Sequence, residues 1–230
     1  MMFAELAKVM DHAMQNDNYE DSLNQNVINK NTKSALKESI RHLKTLYSFD
    51  INDPSFKGLK YFWQISEEKE KPILALLYAI GRDYLLAESI SVISNTKPGE
   101  KATIDKLEEN VRSFHTSKYS DITHKSISKN IASSWKQAGF ITGKVKNIRT
   151  QPDIGYNIIA FAFLMAYLNE LRGDFILTSK WVKALSLSDN IVRELAVEAA
   201  KRDLMQYQFA GNVTAISFNS LFKKLEINGI

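Results

Sequence analysis

Cysteine is absent from the 230-residue chain. That excludes disulfides, thiolate metal ligands and thiol catalysis, and it suits a reducing cytoplasm. Proline is sparse, at four residues, and glycine numbers nine, so little interrupts a helical backbone. Histidine is scarce too. His12, His42, His115 and His124 lie far apart, and none has a partner at the i+4 spacing that sets two ligands on one helix face. His115 and His124 flank a basic segment, where phosphate contact suits them better than metal and plain surface positions suit them better still. There is no Gly-x-x-x-x-Gly-Lys phosphate loop and no Gly-x-Ser-x-Gly elbow. Pro152-Asp153 lacks the Glu-x-Lys that would complete a nuclease signature. No metal, no cofactor and no catalysis of its own are therefore expected.

Long apolar runs are also missing. Ile73–Ile80 spans eight residues, and Ile154–Leu168 spans fifteen with Gly155 and Asn157 inside it. A membrane-spanning helix needs about 20, so both are expected to be buried helices of a cytoplasmic protein without membrane contact. Met1–Met14 carries Glu5 and Asp11 within its apolar pattern and is expected to be a helix, not a secretion signal.

What the chain does have is enough apolar content, 44%, to build a core, and a dominant helical period. Asn31 or Thr32 should cap a helix to about Tyr47 with Leu36, Ile40, Leu43 and Tyr47 in one stripe. Pro54 opens a helix carrying Phe56, Leu59, Phe62 and Trp63. The apolar run follows Pro72, and Gly81 should loosen it before Tyr84–Ile93. Ser94–Gly99, with its Pro-Gly pair, is the clearest break. A polar helix over Ala102–Phe114 should bury Ile104, Leu107 and Val111. Ile154–Leu171 should be a long core helix stopped by Gly173. Thr178 and Ser188 should cap two further helices, the second burying Ile191, Leu195 and Ala199. Met205–Phe209 and Val213–Phe218 alternate like a hairpin about Ala210-Gly211-Asn212.

The most informative stretch is Ser117–Gln151. It holds Lys118, Lys125, Lys129, Lys136, Lys144, Lys146 and Arg149 against a single acid, Asp121. Its balance is +6 in a chain of +4, so the remainder sums to −2. Ile127, Ile131 and Trp135 stand at i, i+4 and i+8, and Gly139 stops the helix. A Gly-centred hairpin, Phe140–Gly143 into Lys144–Arg149, follows. Helix, glycine stop and basic hairpin outline a winged helix-turn-helix, which sets a helix in the DNA major groove and rests a wing on phosphate. Ser126 and Asn130, next to the lysines, suit contact with phosphates and base edges. Lys33, Lys37, Arg41 and Lys44 form a second cationic stripe, an auxiliary phosphate or acidic-partner contact beside the blander reading of a soluble face. The C-terminal outline, by contrast, carries Glu194 and Glu198 on its second helix, which phosphate would repel. It is expected to serve packing or protein contact.

The helix Arg41-His42-Leu43-Lys44-Thr45-Leu46, the run Leu74–Ile80 with Arg82-Asp83-Tyr84-Leu85-Leu86-Ala87-Glu88, and the helix Ser126–Gly139 together resemble BrxA, the small accessory protein of BREX bacteriophage-defence systems. The likeness covers about residues 32–150; the Trp181–Phe218 outline departs from it. What the resemblance implies is a mostly helical, cytoplasmic, non-enzymatic DNA-binding protein, working beside other subunits of a defence complex. The family's description as an inner-membrane protein finds no support in this sequence.

The expected fold is mainly α, with strands limited to small β-hairpins. A helical lobe over 1–96 should precede a lobe over 97–230 that contains winged-helix-like segments at about 117–151 and 178–220. Double-stranded DNA is the expected partner. A protein–protein adaptor and a structured-RNA binder are the alternatives. Lys125, Lys129, Lys144, Lys146 and Arg149 should lie exposed on one face, above buried Ile127, Ile131 and Trp135.

Overall fold

The structure, a computed structural model, describes residues 1–14, 17–211 and 213–228. Among them the chain forms fourteen helices and two antiparallel hairpins. Helices α1 (Phe3–Ala13), α2 (Tyr19–Asn24), α3 (Lys33–Tyr47), α4 (Pro54–Ile65) and α5 (Lys71–Arg82) come first. Their starts follow from capping chemistry: the Thr32 side chain accepts from Ala35 N, and Asp53 caps α4 ahead of Pro54. Then come α6 (Tyr84–Glu88), α7 (Ile90–Asn95), α8 (Ile104–His115), α9 (Asp121–Gln137), the hairpin β1 (Ile141–Thr142) and β2 (Ile148–Arg149), and α10 (Tyr156–Leu168). The chain ends with α11 (Asp174–Leu177), α12 (Lys180–Ala184), α13 (Asp189–Lys201), β3 (Gln206–Ala210), β4 (Val213–Ser217) and α14 (Asn219–Lys224).

Helix α10 is the axis of the molecule. Every residue from Asn157 to Ala166 is buried, which is how a helix apolar on all sides behaves inside a core. It packs against α4, α5, α12 and α13. Gly58 lets α4 come this close, because a Cβ there would meet Leu164 Cδ2 at 2.7 Å. Glu70, itself buried, faces the start of α10. Its Oε2 accepts from Glu67 N at 3.1 Å and from Asn157 Nδ2 at 3.2 Å, while its Oε1 occupies the space a Gly155 side chain would need. No helix of the described residues is long and apolar enough to cross a membrane.

Around the break at Ser94–Gly99 the hydrophobic core is continuous. A single hydrophobic cluster runs from Leu6 to Ile227, and the segment after α7 is tied to β2 by backbone bonds. Gly99 N donates to Arg149 O at 2.8 Å, Arg149 N to Glu100 O at 2.8 Å and Ala102 N to Asn147 O at 2.9 Å, with an antiparallel bridge between Lys101 and Ile148. The Pro-Gly stretch therefore leads into a single antiparallel bridge to β2.

Several expectations need correction. Gly81 does not loosen α5: it sits in the last helical turn, where a Cβ would lie 3.3 Å from Met165 Cε and 3.6 Å from the Trp181 ring. The interruption falls at Asp83, whose carboxylate caps α6. Ser179, not Thr178, caps α12, accepting from Val182 N. Helix α13 is rotated from the expected face: Val192, Ala196 and Ala199 are buried, Leu195 partly, and Ile191 is exposed. Helix α10 is also shorter at both ends than Ile154–Leu171. The C-terminal hairpin pairs five residues a strand, from Gln206 with Ser217 to Ala210 with Val213. Asn212 of its expected turn lies outside the described residues.

Candidate nucleic-acid interface

Helix α9 starts where Ser120 accepts a hydrogen bond from Thr123 N. His124, Ser128, Ile131, Ala132, Ser134 and Trp135 form its buried face, and Ile127 is half-buried. Trp135 fixes the depth. Its Nε1 donates to Ser89 Oγ at 2.8 Å, and its ring meets Phe140 edge-on at 5.2 Å. On the opposite side Lys125, Ser126, Lys129, Asn130 and Ser133 are exposed. Asp121, favourably set near the positive end of the helix, pairs with Arg112 of α8 at 2.8 Å. The segment's single acid is thus already matched by a cation from outside it.

Between β1 and β2 a five-residue loop carries Lys144 and Lys146 into solvent. Gly143 and Asn147 turn it at φ +85° and +48°, left-handed values that glycine and asparagine tolerate best. Lys136 of α9 is half-buried and its Nζ donates to Lys144 O at 3.4 Å, joining the helix's lysine edge to the loop. None of Lys125, Lys129, Lys136, Lys144 and Lys146 takes part in an ion pair among the described residues. Together they form one uncompensated cationic surface.

Arg149 does not belong to it. Its side chain is 1% exposed, because β2 turns it inward beneath the hairpin. There Nε donates to Ile93 O at 3.1 Å, Nη1 to the carbonyls of Phe140 and Thr150, and Nη2 to Gln151 Oε1 at 3.0 Å, with the guanidinium over the Phe140 ring. It is a cross-link between α7 and the hairpin. His124, placed by sequence at the border of the basic segment, is likewise fully buried and cannot touch phosphate. His115 is half-buried and its Nε2 meets Glu88 Oε2 at 2.8 Å.

Lys118 is exposed but engaged. Its ammonium donates to Tyr84 Oη at 2.8 Å and lies over the rings of Tyr84 and Tyr119 at 5.0 and 5.4 Å. The two phenol oxygens are 2.6 Å apart. Hydrogen bonds from Lys118 and then from Tyr119 hold the Tyr84 hydroxyl below its ordinary pKa. Sequence reasoning missed this cluster, and no local signal could have found it, since Tyr84 and Lys118 stand 34 positions apart.

The stripe on α3 divides. Lys33 and Lys37 are exposed, whereas Arg41 pairs with Glu38 at 2.5 Å and Lys44 with Glu20 at 2.6 Å. Between α3 and α9 runs a groove of about 700 Å³ whose walls include Leu46, Arg82, Leu85, Ile127 and Asn130. Asn130 therefore lies at the margin of the lysine face, toward α3. No group of three or more acidic or histidine side chains among the described residues could hold a metal ion. Compared with known proteins, the chain matches no family model, no curated protein and no solved structure, so the residues of the site carry the functional argument themselves.

Proposed function

We propose that residues 90–150 form a winged helix-turn-helix that binds duplex DNA, with α9 against the major groove and the 143–147 loop as its wing. The order α7, β-bridge at Lys101, α8, α9 and hairpin supports this reading, because it follows the element order of such a module. The observation that carries it is electrostatic: five lysines on α9 and the loop have no carboxylate partner among the described residues. A solvated face evolved only for solubility has no need to exclude acids. A B-form major groove admits a helix, whereas that of A-form RNA is too narrow, so α9 suits DNA. The protein acts in this reading as a non-catalytic accessory subunit, and its resemblance to BrxA sets it in a phage-defence complex.

A second reading, assembly with protein partners, is favoured at the other end of the chain. There α10, α12, α13 and β3–β4 repeat the same outline, but α13 carries Glu194 and Glu198, and Phe175 and Val213 stand 73% and 70% exposed.

Electrophoretic mobility shift against duplex DNA and structured RNA at two salt concentrations tests the leading reading. Four phosphate contacts from Lys125, Lys129, Lys144 and Lys146 give a log–log salt slope of roughly −3.6. Replacing Lys125 and Lys129 by alanine should flatten it by roughly 1.8 and weaken all sequences alike, with melting unchanged because both side chains are exposed. Unchanged binding by the double variant would remove α9 from the interface. No shift with either polymer at low salt would favour the assembly reading.

A further inference from the structure

The two most exposed large apolar side chains among the described residues both stand in the basic module. Ile122 is 83% exposed and Val145 is 84% exposed. Ile122 lies in the first turn of α9, three and seven residues before Lys125 and Lys129, and so shares their face. Val145 sits at the tip of the hairpin loop between Lys144 and Lys146. That loop is fixed at its base by the bond from Ala102 N to Asn147 O and the Lys101–Ile148 bridge. Folding gains nothing from either side chain, since both remain in water.

We infer that Ile122 and Val145 are base-reading residues that select A·T pairs, Ile122 through thymine methyl groups in the major groove and Val145 through entry into the minor groove. This rests on the DNA-binding reading above and adds a sequence preference to it. The thymine C5-methyl is the apolar group on the major-groove edge of a base pair, and an aliphatic side chain is its complement. In the minor groove, A·T pairs lack the guanine amino group that would obstruct a valine. Their narrow, strongly negative groove also draws in flanking cations such as Lys144 and Lys146.

The test is fluorescence anisotropy of the full chain on three duplexes of equal length. One is A·T-rich, one carries deoxyuridine for every thymine, and one is built of inosine·cytosine pairs, which present an A·T-like minor groove without thymine methyls. Loss of the methyls should weaken wild-type binding about fourfold per contacted group, from roughly 0.8 kcal/mol each. Ile122→Ala should bind the thymine and uracil duplexes equally. Val145→Ser should weaken the A·T and inosine·cytosine duplexes alike, by roughly threefold to fivefold, and leave the salt slope unchanged because no charge is lost. Full thymine-over-uracil discrimination by Ile122→Ala, or wild-type affinity of Val145→Ser, overturns this inference while DNA binding stands. Absence of binding to any duplex at low salt overturns both.

Discussion

Replacing Arg149 by alanine separates a buried cross-link from a phosphate contact, because the two roles predict opposite phenotypes. In the structure its guanidinium serves the Ile93 carbonyl at the end of α7, the Phe140 and Thr150 carbonyls of the hairpin, and Gln151. Two of these acceptors keep another donor when it is gone: Thr96 N at 3.3 Å for Ile93 O and Thr150 N at 2.9 Å for Phe140 O. The loss is then smaller than the sum of four charge-assisted bonds at about 1.5–3 kcal/mol each. Burial also lowers the pKa of the guanidinium, so the native state already bears a desolvation cost that the variant no longer carries. Adding the lost packing of the stem on Phe140, the expected destabilisation is roughly 2–4 kcal/mol. For a chain of this size that lowers Tm by about 4–16 °C. Arg149→Lys keeps the charge but loses the planar fork, and should fall between wild type and alanine. Urea titration followed by tryptophan fluorescence gives the stabilities, and DNA titration of the remaining folded protein gives the salt slope. A variant as stable as wild type whose salt slope had dropped by about 0.9 would refute the reasoning. That result would put Arg149 on the surface, where its place in a basic run first suggests it.

Why the sequence pointed the wrong way at Arg149 is instructive. Its partners are main-chain carbonyls, which every residue carries, so nothing in the sequence marks them. The same holds for Gly99, Glu100 and Ala102, whose bonds to Asn147 and Arg149 are made by backbone groups that no side chain marks. Helices α3 and α4 were legible because a cap residue or proline coincides with a regular apolar spacing, α5 because an apolar run follows Pro72, and α9 because Ile127, Ile131 and Trp135 precede the Gly139 stop. Helix α10 was legible from its unbroken apolar run. On α13 the apolar residues Ile191, Val192, Leu195, Ala196 and Ala199 fit two adjoining stripes, and packing against α10 chose the one with Val192. The lysines of the site were visible as charge, and periodicity put Lys125 and Lys129 opposite Ile131 and Trp135. The wrapping of Lys118 by Tyr84 and Tyr119 is a tertiary fact with no local trace.

Three further tests bear on the framework behind the site. Trp135→Ala should cost roughly 3–5 kcal/mol in urea unfolding; a loss under 1 kcal/mol would mean that the ring is not the anchor of α9. Gly155→Ala brings a methyl onto the Glu70 carboxylate and should destabilise by about 1–3 kcal/mol, and in a double-mutant cycle Glu70→Ala should recover much of that loss; purely additive effects would contradict the close approach. The last concerns acid. Asp174 Oδ1 accepts from Thr214 Oγ1 at 2.5 Å and meets Arg193 Nη2 at 3.3 Å, tying the first residue of α11 to β4. The Thr214 hydroxyl, ahead of the Arg193 guanidinium, holds the carboxyl below its ordinary pKa. A depressed folded-state pKa means that the contribution is complete above the unfolded value, about 3.9, and disappears as pH falls through the folded one. Asp174→Asn should therefore melt below wild type at neutral pH, and the gap should close as both are taken to pH values well under the unfolded carboxyl's. Because the arrangement depends on ionised Asp174 and not on its shape, a melting difference that stayed constant across that range would show that the link to β4 does not depend on charge.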